Sequence, residues 1–75
     1  MPSYNEMNVA ELFPKTVYRA IASCSCLGER ITHADAKRAA NNAIMDGGLE
    51  FPPRDLLLAI TNHVLQEVYI GAMVS

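Results

Sequence analysis

Residues 31–44 read ITHADAKRAANNAI, and the way this stretch folds decides the architecture. Ala36, Ala39, Ala40, Ala43 and Ile44 recur at three- and four-residue spacing, the period of one helix face. Thr32 supplies an N-cap, with Asp35 three residues on at the reciprocal capping-box position, although Glu or Gln is commoner there. Gly47 and Gly48 end the segment, so a helix is expected over 33–46. An alanine stripe leaves little side chain between axes, which lets another helix approach closely. The opposite face carries Lys37, Arg38, Asn41 and Asn42. Two readings of that face compete: a DNA-reading helix, or a solvated face with an Asp35–Arg38 pair.

Toward the amino terminus, Asn8 with Glu11 has capping-box spacing, and a helical pattern continues to about residue 26. Pro14 interrupts it, because an interior proline removes a donor and clashes with the preceding turn. Either a short turn precedes a helix starting at Pro14, or one helix kinks there. Val17, Ala20, Ile21 and Cys24 form the apolar stripe with Phe13 and Tyr18 beside it. Lys15, Thr16, Arg19 and Ser23 lie opposite, and Gly28 is placed to terminate the segment.

Toward the carboxyl terminus, LEFPPRD (residues 49–55) is an extended connection, and Pro53 suits the first turn of a third helix, expected over 53–73. Leu57, Leu58, Ile60, Val64, Leu65, Val68, Tyr69 and Ala72 cover nearly half its circumference, more than one neighbour needs. Leu56 and Ile70 fall on the otherwise polar side with Asn62, His63, Gln66 and Glu67. The expected fold is therefore one all-α domain of three helices spanning residues 1–75, with the third helix central.

Composition says how such a domain is completed. The 75 residues are 51% hydrophobic and 19% charged, which excludes disorder. So small a body has much surface per unit volume, and this much apolar material exceeds what one copy easily hides. A homodimer through the third helix and part of the first is expected. Its contact residues are read as Leu56, Tyr69, Ile70 and Met73, since aromatic and methionine side chains suit adaptable interfaces.

Other classes fit less well. Six Lys plus Arg against eight Asp plus Glu give a net charge of −2, unfavourable to phosphate binding. A helix-turn-helix wants a small residue about four before the turn glycine and branched apolar residues about six and nine after it. Counted from Gly28, Cys24 is acceptable, Ala34 is weak and Lys37 is polar. DNA contact through Lys37, Arg38, Asn41 and Asn42 stays as the alternative reading.

Cys24 and Cys26 on a helix point roughly 200° apart, so they are expected as reduced thiols rather than a disulfide. With His33 and His63 they lack the usual zinc spacings, so no metal is assigned. Neither histidine has a catalytic neighbour in the local sequence, and Ser23 and Ser25 lack a nucleophile elbow. No enzyme and no cofactor is expected. The start, MPSYNEMN, lacks a signal-peptide pattern, which leads to an expectation of a cytoplasmic protein. Thr61, Asn62, His63, Gln66 and Glu67 interrupt the longest apolar tract and are taken to exclude a membrane span. The functional expectation is a small acidic regulator or inhibitor that covers a surface on another protein, in the manner of compact accessory proteins of phages and mobile elements.

Overall fold

The computed structural model describes residues 4–74. Its four α-helices are α1 (Val9–Leu12), α2 (Pro14–Cys24), α3 (His33–Asp46) and α4 (Arg54–Val74), and a 3-10 segment, Ser25–Arg30, links α2 to α3. No strand occurs among the described residues. The all-helical reading holds, and of the two readings at Pro14 the chain takes the first, a single turn followed by a helix that starts at Pro14.

Pro14 is the reason. A residue before proline is pushed out of the helical region, and Phe13 sits at φ −130°, ψ 58°. Pro14 then opens α2, where its missing N–H costs nothing. The cap of the one-turn α1 also differs from the expected Asn8–Glu11 box. Asn8 has αR geometry and makes no capping bond of its own. Asn5 takes the role: its Oδ1 accepts from the N–H groups of Met7 at 2.9 Å and Asn8 at 3.1 Å.

Along α2, Val17, Ala20 and Cys24 are buried. Tyr18 stands about 100° round the helix from Val17 and is 75% exposed, so it does not share the stripe as expected. Nor does Gly28 cap α2. It lies inside the 3-10 segment at φ 55°, ψ −130°, a conformation closed to side chains with a Cβ. A Cβ there would also meet Ala72 of α4 at 3.5 Å. The bend sends buried Ile31 inward and delivers Thr32 to the start of α3.

The capping box at that point is formed. Thr32 Oγ1 accepts from the Asp35 N–H at 3.2 Å, and Asp35 Oδ2 accepts from the Thr32 N–H at 3.1 Å. Asp35 is thus turned toward Thr32 rather than toward Arg38. Ala36, Ala39, Ala40, Ala43 and Ile44 are all buried, as their spacing requires.

The third expected helix is α4, and it contacts every other element. Its buried residues are Leu56, Ala59, Ile60, Thr61, Val64 and Val68. Leu56, Ile60, Val64 and Val68 form one i,i+4 ridge. Leu56 therefore belongs to the core, 3% exposed, and not to the polar side or to an external interface. Thr61 is tolerated inside because its hydroxyl donates to the Leu57 carbonyl at 2.7 Å. Leu58 and Tyr69, both in the wide apolar stripe, are 51% and 45% exposed. The helix also has the length and mean hydropathy, 21 residues and 1.2, of a membrane-crossing segment. The polar interruptions thus do not disqualify it by composition, because the aliphatic residues outweigh them. Only 28% of that apolar window is buried, and Leu58, Tyr69, Ile70 and Met73 are exposed.

The alanine seam generates a prediction. Ala40 is fully buried, and Ala40→Leu adds three carbons where the axes are close. Urea denaturation is expected to show a loss of about 1–3 kcal/mol; an unchanged midpoint would mean that the seam has room to spare.

The outer face of α4 as a candidate functional site

On the side of α4 turned away from the core, Leu58, Asn62, Leu65, Tyr69 and Ala72 succeed one another at spacings of four, three, four and three. That alternation keeps residues on a single seam facing another helix. Tyr69 and Met73, 45% and 61% exposed, dominate its carboxyl end, with Ile70 and Val74 beside them. Leu65 and Ala72 are half-buried at its inner edge.

The two halves of this face differ in shape. At the amino end Leu58, 51% exposed, stands between two depressions. One is walled by the Tyr4–Met7 segment with Asp55, and Ala59 and Asn62 complete that side. The other brings His33 and Lys37 of α3 beside Arg54, Leu57 and Thr61. The first wall is held in place by Asp55, whose Oδ2 accepts from the Tyr4 N–H at 3.3 Å, and by the edge-to-face contact of Tyr4 with Phe13, centroids 5.4 Å apart. At the carboxyl end the 3-10 segment supports α4 from within, Gly28 against Ala72, and Tyr69, Ile70 and Met73 stand out as a ridge. The accessible surface, 5165 Å², exceeds the roughly 4,500 Å² expected for a compact monomer of 8.2 kDa. The extents, 37 × 21 × 19 Å, place that surplus on an outline drawn out along one axis.

Of the four residues read as an interface, then, Tyr69, Ile70 and Met73 come together on the ridge, whereas Leu56 is interior. Leu58 and the half-buried Leu65 were not named among the contact residues. The four-three alternation was the signal that could have found them.

The residues read as DNA contacts divide. Lys37 lines the depression beside Leu58 and Arg54, while Arg38 and Asn42 flank another on the α2 side with Ser23, Cys24 and Leu27. Asn41 is half-buried, its amide 3.4 Å from the Met45 sulfur. The link from α2 to α3 runs over residues 25–32, longer than the three or four residues of a helix-turn-helix. Ala34 and Lys37, the positions that would lock such a unit, are both exposed.

The two thiols are free and in different settings. Burial pushes the Cys24 thiol up, with the negative charges of Asp35 and Cys26 adding to the effect. Its Sγ donates to the Asp35 carbonyl at 3.7 Å. His33 is exposed, and His63 reaches Glu67 at 3.9 Å one turn along α4. Among the described residues no three His, Cys, Asp or Glu side chains are grouped so as to hold a metal.

No protein-family model, curated protein or solved structure matches the chain. Function is therefore inferred from the surface itself.

The thiol environments predict biphasic alkylation at neutral pH. Exposed Cys26 should react rapidly and Cys24 slowly, and Cys26→Ser should abolish the fast phase. Equal rates for the two would place Cys24 in contact with water.

Proposed function

We propose that this chain is a small protein-binding module, a regulator or inhibitor that works as a homodimer through the outer face of α4. Tyr69, Ile70 and Met73 are its leading contacts. One observation carries the reading: Leu58, Tyr69 and Met73, 51%, 45% and 61% exposed, lie along one side of a helix whose other side is already the domain core. Contiguous apolar surface of this kind marks an interaction site in a small protein. A standard interface removes about 800 Å² from each partner, close to a sixth of this molecule's surface. Three side chains cannot supply that, so the contact has to extend along most of α4.

Membrane insertion is the less favoured use of the same helix. To span a bilayer, α4 would leave α2 and α3 and expose the alanine face of α3 together with its own buried ridge. Burial of Tyr69 and Leu58 against protein requires no such rearrangement. The alternative of a DNA-binding regulator acting through Lys37, Arg38, Asn41 and Asn42 has one feature in its favour. His33, Lys37 and Arg54 share a groove with no acidic lining residue. The net charge of −2 and the divided placement of the four residues weigh against it. Binding to random duplex DNA at low salt, falling steeply as salt rises, would favour that alternative.

Light scattering at micromolar concentration tests the proposal. The native chain should have the mass of a dimer, and Tyr69→Glu should have that of a monomer with unchanged helical circular dichroism, because Tyr69 is already 45% exposed. A native monomer, or a Tyr69→Glu dimer, would contradict it.

A further inference from the structure

We propose that the groove of α3 and α4 lined by His33, Lys37 and Arg54 binds the phosphoryl group of a small phosphate ester, whose organic part lies over Leu57 and Leu58. The site goes beyond the association of α4 and shares only Leu58 with that face.

Charge placement carries the assignment. His33 and Lys37 stand one turn apart on α3, on the same face, and Arg54, the first residue of α4, joins them in the groove. The chain has more acidic than basic residues, eight against six, yet no acid lines this groove. The two acids nearest in sequence are committed elsewhere. Asp35 Oδ2 accepts from the Thr32 N–H and hydroxyl, and the Asp55 carboxylate accepts from the Tyr4 and Leu56 N–H groups. Among the described residues the ion pairs are Arg19–Asp46 and His63–Glu67, so the side chains of His33, Lys37 and Arg54 keep their donors unpaired. Lys37 and Arg54 sharing one groove without a counter-charge repel one another, and an anion between them removes that repulsion.

The donor set suits a phosphoryl group. A guanidinium offers a planar fork to two oxygens, an ammonium is a compact positive charge, and a histidine ring has an N–H to give whether or not it is protonated. His33 and Arg54 each open their helix, so the positive ends of both dipoles add to the attraction. Shape sets the size of the ligand. The groove holds about 170 Å³, below the roughly 300–1,000 Å³ of sites for drug-sized molecules. It is more enclosed than the depression on the other side of Leu58. The Thr61 hydroxyl is committed to the Leu57 carbonyl, so recognition of oxygens falls to the three basic side chains. A bare ion would leave the flanks of Leu57 and Leu58 wet, whereas the apolar body of an ester covers them.

Backbone amide NMR titration with inorganic phosphate and with phenyl phosphate, at constant ionic strength and about pH 7.5 where both are mostly dianions, tests the site. Saturable shifts are expected around His33–Lys37 and Arg54–Leu58, with phenyl phosphate saturating at the lower concentration. Lys37→Gln and Arg54→Gln should each weaken binding about tenfold, and Arg30→Gln, an exposed cation outside the groove, should leave it unchanged. All three residues are exposed, so the fold is expected to survive, and the same spectra check it. Shifts that match those in added chloride, fail to saturate, or persist in Lys37→Gln and Arg54→Gln would overturn the site. An equal loss in Arg30→Gln would do the same. Equal affinity for the two probes would remove the apolar part of the ligand. Displacement of phenyl phosphate by random duplex DNA at low salt would give the groove to nucleic acid and overturn the small-ligand assignment.

Discussion

A 21-residue apolar helix cannot be enclosed by the 11 and 14 residues of α2 and α3, and most of what is specific to this molecule follows from that mismatch. The alanine face of α3 brings the helix axes close, which makes a tight core but a narrow one. Alanine contributes almost no reach, so Ala36, Ala39, Ala40 and Ala43 cover one side of α4 and extend no further round it. The outer side is left with Leu58, Leu65, Tyr69 and Met73. Burying an aliphatic side chain of this size is worth about 1.5–3 kcal/mol. A core of so short a chain supplies roughly 3–5 kcal/mol. Closing over these partly exposed residues would therefore add to a core of that size.

The chain ends give this face its asymmetry. The amino-terminal segment is tied to α4 through the Tyr4–Asp55 hydrogen bond and to the junction of α1 and α2 through the Tyr4–Phe13 ring contact, so it walls one end. At the other end Gly28, in a conformation that only glycine adopts readily, tucks the 3-10 segment beneath Ala72. That bend supports the last turns of α4 from within and leaves Tyr69, Ile70, Met73 and Val74 uncovered. Backbone geometry at two points thus gives the two halves of the helix different neighbours.

Much of this was readable from the residues. The alanine stripe, the Thr32–Asp35 cap and the punctuation by Pro14 each rest on one local rule that tertiary packing did not override. The rotation of α4 about its axis was not readable in the same way. Apolar residues occur on both of its sides, so periodicity identified a helix without saying which side faces the core. Leu56 was placed outside for that reason, and Leu58 was left within the wide apolar stripe. The buried Thr61 added to the error, since a hydroxyl that bonds back to its own helix is compatible with the interior. Tyr69, Ile70 and Met73 were recognised as surface residues by their chemical type. Leu58 and Leu65 needed the four-three spacing to be counted separately from the ridge of Leu56, Ile60, Val64 and Val68.

Thermal unfolding as a function of protein concentration measures most directly whether a single copy leaves its central helix half covered. For a folded dimer in equilibrium with unfolded chains, mass action gives about 2.7 kcal/mol of added stability per dimer for a hundredfold rise in concentration. In a domain of this size that raises the midpoint by several degrees. A midpoint that climbs in this way is the expected result. A midpoint independent of concentration, with the chain monomeric throughout, would contradict it.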